Sequence, residues 1–231
     1  MDYVVTPTPS AALPVAGSKA LFPVHRVYCV GRNYVEHAKE MGFTGREDPF
    51  FFIKPNDALV AIADGETGSL AYPLKTSNLH YEMELVVALG KGGTNLSVEQ
   101  AAECVWGYAL GLDMTRRDLQ GEAKKLGRPW EVGKAFDHSG PIGPIHPRSV
   151  TGTLDKGAIW LDVNGERKQS SSLDKLIWNV AESIAYLSGL FELAAGDLIY
   201  TGTPEGVGAV VKGDLIVGGV DGLGELRLKI I

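Results

Sequence analysis

A chain of 231 residues is long enough for one sizeable β-rich or mixed domain with a large core. Acidic residues outnumber basic ones by 28 to 22, which argues against a general nucleic-acid or anionic-membrane surface. Cys29 and Cys104 lack metal-knuckle spacing, no apolar run reaches membrane-span length, and Asp2, Pro7, Pro9 and Pro14 break the pattern of a secretory leader, so a reducing cytoplasm is the expected location.

Residues 1–22 read as an extended, proline-punctuated arm with one or two edge strands. Val27-Tyr28-Cys29-Val30 is a short buried strand stopped by Gly31. Asn33 and Glu36 have capping-box spacing and open a helix over about 34–41, which Gly42 stops. On that helix His37 and Glu40 share a face. A carboxylate beside an imidazole orients it and suits it to general-base work, although a surface ion pair explains the two residues taken alone. Phe50 to Ile53 form an aromatic strand ending in Lys54-Pro55. Lys54 either snorkels to solvent or supplies charge to an anionic ligand.

His80-Tyr81-Glu82-Met83-Glu84-Leu85 places two carboxylates two residues apart in an apolar strand. Side chains alternate along a strand, so Glu82 and Glu84 share a face with Val86 and Ala88, and that face heads towards a core. Two unpaired carboxylates there are costly, and a hard divalent cation suits an all-oxygen pair. Taken alone, a Glu-x-Glu reads more plainly as an acidic edge-strand face in water.

Ser97 and Gln100 cap a short helix over about 98–104. Trp106 to Met114 is a second apolar strand, with Gly107 and Gly111 allowing close backbone approach and Asp113 at its end. Thr115, with Asp118 three residues on, caps the next helix over about 116–126, which frees Asp113 for another task. That helix carries Arg117, Gln120 and Lys124 on one stripe. Lys134 follows in an aromatic context, where a snorkelling surface lysine is the plainer reading. Asn164-Gly165 turns a hairpin. Ser171 and Asp174 cap the longest helix, whose apolar positions 173, 176, 177, 180, 184 and 187 make one face. Thr201 to Gly208 is a Gly-rich loop able to offer N–H groups and a hydroxyl to an anion, without the Gly-Lys-Ser/Thr ending of a P-loop. A last hairpin turns at Asp221-Gly222.

Taken in order, several segments together resemble the fumarylacetoacetate hydrolase family in its short bacterial form, which includes acylpyruvate and fumarylpyruvate hydrolases. They are Cys29 to Tyr34, His37 to Gly42, Phe52-Ile53-Lys54-Pro55, His80 to Leu85, Leu112 to Thr115, Asp118-Leu119-Gln120, Pro129-Trp130, Lys134 to Asp137 and Thr201 to Gly208. The resemblance implies one catalytic domain over 23–231. Its fold would be mixed α/β and β-rich, a sheet roll with a few short helices and one longer packing helix, usually in a homodimer. It implies a divalent metal on Glu82, Glu84 and Asp113, with Mg²⁺ favoured by the all-carboxylate set and Mn²⁺ as second choice.

The same resemblance places Lys134 near substrate oxygens, Arg117 and Gln120 in the pocket lining, and Thr203 near the substrate carboxylate. Arg32, Lys54 and Arg117 give local positive charge for a small anionic oxo acid. His37 and Glu40 become a dyad on a lid that activates water. The implied reaction is hydrolytic C–C cleavage of a 2,4-dioxo acid, with fumarylpyruvate the best candidate and a place in aromatic catabolism. Oxaloacetate decarboxylation and keto–enol isomerisation use the same enolate chemistry and stay open. Outside the enzymes, a structural Ca²⁺-binding β domain shares the ligand set.

Overall fold

The structure is a computed structural model and describes residues 3–40 and 46–231, without the side chains of 38–40. Its centre is a sheet whose strands run in the spatial order Phe50–Lys54, Val27–Gly31, Leu198–Tyr200, Met83–Leu89, Val105–Leu112, Gly140–Ile142 and Leu59–Ala61; His146–Pro147 also pairs with Val105–Leu112. A second sheet has the order Glu166–Ser172, Ala158–Val163, Leu215–Val220, Gly224–Ile230 and Thr67–Leu70. A small third sheet joins Thr115–Arg116, Leu79–Tyr81 and Gly208–Val210. This is the β-rich mixed architecture expected from the sequence.

Strand alternation divides the core in two. Leu85, Val87 and Leu89 point towards the second sheet, where Leu161, Ile216 and Leu228 meet them. Val86 and Ala88 point to the opposite face, among Val27, Cys29, Ala109, Leu198 and Tyr200. Truncating one of these buried leucines to alanine costs about 2–5 kcal/mol by loss of transfer energy and the cavity left behind. The edge strands expected in the N-terminal arm are Ala12–Pro14 and Leu21–Pro23, paired with each other. Their Leu13 and Phe22 are buried in the same core as Val86. The close approach expected at Gly111 is real: a Cβ there would stand 2.5 Å from Val86 Cγ2 and 2.6 Å from the Tyr200 ring.

The helices are Val35–Glu40, Val98–Ala102, Arg117–Lys125, Glu131–Lys134, Arg148–Thr151 and Val180–Leu190. The Ser97/Gln100 capping box is present. Three other capping expectations need correction. Asn33 does not cap the helix Val35–Glu40, its side chain instead bonding the backbone of Trp178 and Thr201. Thr115 does not cap the helix Arg117–Lys125. It lies in a strand pairing with His80, and its hydroxyl donates to the Asp113 carbonyl. Asp118 instead secures the first turn from outside, accepting from Ser77 N–H and Thr76 Oγ1.

Ser171 and Asp174 do not cap the longest helix either. Ser171 belongs to the strand Glu166–Ser172 and Asp174 to a one-turn 3₁₀ segment, Leu173–Lys175. The helix starts later, at an Asn179/Glu182 capping box. Leu173 and Leu176 therefore pack from an irregular connection, one that Asn33 holds by accepting from Trp178 N–H and donating to Trp178 O. The expected stop at Gly42 lies outside the described residues.

Candidate active site

The strand ladder itself brings the acids together. Met83 pairs with Leu112 and Glu84 with Gly111, and one step further along Asp113 N–H donates to Glu82 O at 2.9 Å. Glu82 sits where the chain leaves the small sheet at Tyr81 and joins the central sheet at Met83, so its side chain turns into the junction between them. Carboxylate oxygens of Glu82, Glu84 and Asp113 lie within 4.8 Å of one another, and all three residues are buried.

Three cations surround them. Lys134 Nζ is 2.7 Å from Glu82 Oε2 and 2.6 Å from Asp113 Oδ2. Arg117 Nη2 is 2.5 Å from Glu82 Oε1, and its Nη1 donates to Gln120 Oε1 at 2.7 Å. Lys54 Nζ lies 2.8 Å from Asp113 Oδ1, outside hydrogen-bonding geometry, and donates to Ser139 Oγ and to the Lys134 carbonyl. Lys54 is 0% exposed. It therefore neither snorkels nor reaches the cavity, and it supports Asp113 and the Lys134 backbone from behind.

The charges are unevenly shared. Burial alone would raise the Glu82 carboxyl, but Lys134 and then Arg117 hold it well below the usual carboxylate range. Glu84 goes the other way: burial, then Asp113 and Glu82, push it well up, against Lys134 and a single N–H from Gly202 at 2.7 Å. Burial works against the charge on Lys134, yet Asp113 and Glu82 raise it, so the side chain stays an ammonium donor rather than a base. A buried carboxylate with two anionic neighbours, beside an Asp113 oxygen without a hydrogen bond, is a place a hard divalent ion fits. The donor set is all oxygen, which suits Mg²⁺ or Mn²⁺ and disfavours zinc or copper.

One cavity is lined by Arg32, His37, Glu82, Glu84, Asp113, Arg117, Gln120, Lys134 and Thr203, together with Phe52 and Trp130. Of the site residues expected from sequence, Lys54 lies behind this lining, and the Glu40 side chain is outside the described residues. His37 is buried on the short helix Val35–Glu40. Arg32 has a left-handed backbone, φ 57°, which only a held loop maintains, and its guanidinium lies over the rings of Phe50 at 5.2 Å and Trp130 at 5.8 Å. The Gly-rich loop does bind an anion with a backbone N–H, but that anion is the protein's own Glu84.

Sequence reasoning missed Ser139, which bonds Lys54, and Gln169, which bonds Thr203. Neither carries a local signal. Gln169 stands in Glu-Arg-Lys-Gln-Ser-Ser-Ser, a run with the composition of a solvated strand.

The family model described as "Fumarylacetoacetate (FAA) hydrolase C-terminal" matches residues 26–231. A fumarylpyruvate hydrolase from Ralstonia sp is 54% identical over 185 residues, covering 80% of this chain and 93% of that protein. The mitochondrial oxaloacetate tautomerase FAHD1 of Rattus norvegicus is 41% identical over 204 residues, covering 88% and 90%. Among solved structures, fumarylpyruvate hydrolase from Pseudomonas aeruginosa in complex with Mn²⁺ and pyruvate superposes with a TM-score of 0.98 at 57% identity, over 100% of this chain and 99% of that one. The fold is thus that of a recognised lineage, and the chain belongs to the fumarylacetoacetate hydrolase family.

Proposed function

We propose that the chain is an acylpyruvate hydrolase that cleaves a 2,4-dioxo acid, with fumarylpyruvate as its substrate and fumarate and pyruvate as products. The observation that carries this reading is the meeting of His37 and a protonated Lys134 with three buried carboxylates in one cavity. The Ralstonia and Pseudomonas relatives, both fumarylpyruvate hydrolases, support the choice of substrate. Water adds to the C4 carbonyl, the C3–C4 bond breaks, and its electron pair passes into the enolate of pyruvate, which is then protonated at C3.

A divalent cation on Glu82, Glu84 and Asp113, Mg²⁺ by preference and Mn²⁺ by substitution, would stabilise enolate charge. The chain's own groups do the rest. His37 takes the proton of the attacking water and Glu40 orients it. Lys134 holds its ammonium where negative charge grows on the 2-oxo oxygen, in a buried setting that strengthens the interaction. Arg117 and Gln120, tied to each other, fix the pyruvyl end, and Thr203 lines that end from the Gly-rich loop. Arg32, set on its two aromatic rings, receives the distal carboxylate of the acyl group.

The 41% identity to an oxaloacetate tautomerase favours a second reading, in which the same groups handle an enolate without water attacking carbon. A decarboxylase would use them in the same way. Incubation of acylpyruvates and oxaloacetate with Mg²⁺, following loss of enol absorbance and identifying products, separates the three. Pyruvate plus a second acid is expected from an acylpyruvate; turnover confined to isomerisation, or to oxaloacetate giving pyruvate and CO₂, would replace the hydrolase reading. A homodimer in the cytoplasm is proposed with this activity. Both cysteines are buried and unpaired, and no helix among the described residues is long and apolar enough to cross a membrane.

A further inference from the structure

Gln169 is 0% exposed, although Lys168 and Ser170 beside it are exposed. Its carboxamide orientation is dictated by its partners. Met83 N–H can only donate, and it points at Gln169 Oε1 at 3.0 Å. The Pro204 carbonyl can only accept, and it lies 2.8 Å from Gln169 Nε2. The remaining Nε2 hydrogen goes to Thr203 Oγ1 at 2.9 Å, whose own proton goes to Met83 O at 2.9 Å. A hydroxyl has one proton and two acceptor sites, so towards the cavity Thr203 has only a lone pair left. A ligand hydroxyl or a water can use it; an ionised carboxylate cannot.

Met83 is the residue between Glu82 and Glu84. The strand Leu198–Tyr200 accompanies Met83–Leu89 only as far as Val86. Beyond that point the edge is completed by Thr201 N–H and Oγ1 on Leu85 O, Thr203 Oγ1 on Met83 O, and Gln169 on Met83 N–H. The same loop sends Gly202 N–H to Glu84. We propose that Gln169 is a positioning residue: its buried carboxamide locks the Glu82–Glu84 segment to the 201–206 loop, setting the spacing of the acid triad and the acceptor polarity of Thr203. This rests on the proposed cation site, though not on the identity of the substrate.

The test is Mn²⁺ affinity measured by calorimetry without substrate, alongside thermal melting, in the full chain. Gln169→Met keeps the volume and removes the carboxamide's hydrogen bonds, and it should weaken Mn²⁺ binding by about tenfold or more. Leu228→Ala, a core truncation in the second sheet outside the cavity lining, should lower the melting temperature while leaving Mn²⁺ affinity within about twofold. If Gln169→Met does not fold, Thr203→Val and Thr203→Ser decide: Val should weaken Mn²⁺ binding by about tenfold and Ser should restore it. Wild-type affinity in Gln169→Met or Thr203→Val, or an equal loss in Leu228→Ala, overturns the inference alone. A wild-type protein that binds no Mn²⁺ overturns the cation site and the inference together. Failure to turn over any acylpyruvate touches only the substrate reading.

Discussion

Lys134 Nζ stands 2.6 Å from Asp113 Oδ2, both side chains buried. The one-turn helix Glu131–Lys134 can deliver the lysine there because Gly133 packs on the helix Arg117–Lys125, where an added Cβ would meet Gln120 N at 2.9 Å. Lys134→Met leaves Glu82 with Arg117 and Asp113 with Lys54. Loss of a buried charge from such a cluster costs about 3–5 kcal/mol. With saturating Mg²⁺, kcat should fall by at least about 100-fold, the scale of losing one preorganised donor to developing charge. Turnover within a few-fold of wild type, in a variant whose circular dichroism shows it folded, would remove Lys134 from the chemistry.

His37 makes a contrasting prediction, because it touches the cavity without belonging to the acid triad. His37→Ala should lower kcat by at least about 100-fold, the typical share of a positioned base. Mn²⁺ affinity, read by calorimetry, should not move. A parallel loss of metal binding would make His37 part of the cation site instead.

Glu84 should give opposite signs with and without metal. Its charge is opposed by burial and by Asp113 and Glu82, while its Gly202 hydrogen bond is one a glutamine oxygen can also accept. Glu84→Gln should therefore raise the melting temperature of chelator-treated protein. In wild type, Mg²⁺ or Mn²⁺ at 100 times its Kd should add about 2.7 kcal/mol by mass action, and the variant should lose that gain. A variant melting lower than wild type in chelator would show that the Glu84 charge is well compensated by the protein itself.

Helix capping provides a comparison away from the site. Asn179 accepts from Glu182 N–H at 3.0 Å, so Asn179→Ala should cost about 1 kcal/mol in denaturant unfolding. Ser171, the cap suggested by sequence spacing, has a buried Oγ with no hydrogen bond. Ser171→Ala should fall within about 0.5 kcal/mol of wild type or gain slightly, since an unsatisfied buried group is removed. Equal losses in the two variants would contradict the helix start at Asn179.

The contrast between Ser171 and Asn179 marks what the sequence could reveal. Both follow spacing rules; in the structure Asn33 ties the backbone at Trp178 and the helix starts at the Asn179/Glu182 box that follows. Glu82 and Glu84 were legible because alternation is a local property. Asp113 was legible as the end of an apolar strand, though for the wrong reason, since Thr115 pairs in a sheet rather than capping. Lys54 shows the opposite limit: nothing in Phe-Ile-Lys-Pro says that its ammonium will be sealed behind Asp113. Gln169 was invisible because its partners, Met83 and Thr203, lie 86 and 34 residues away.

Arg32 provides the sharpest check on acyl specificity. Burial draws its guanidinium down from the ordinary arginine value, against the pull of Glu47, yet arginine remains charged at neutral pH. Its left-handed backbone and the Phe50 and Trp130 rings hold it in the cavity wall beside His37. A charge-assisted hydrogen bond to a distal carboxylate is worth about 1.5–3 kcal/mol, or about 10–100-fold in kcat/KM. Arg32→Gln should therefore lower kcat/KM by about that factor for an acylpyruvate with an anionic acyl end. For one with a methyl there, the change should stay within about threefold, because that end makes no charged contact. Equal losses on both substrates would assign Arg32 to the pyruvyl end or to the architecture of the 31–34 turn, and the dicarboxylate preference would then need another cation in the cavity wall.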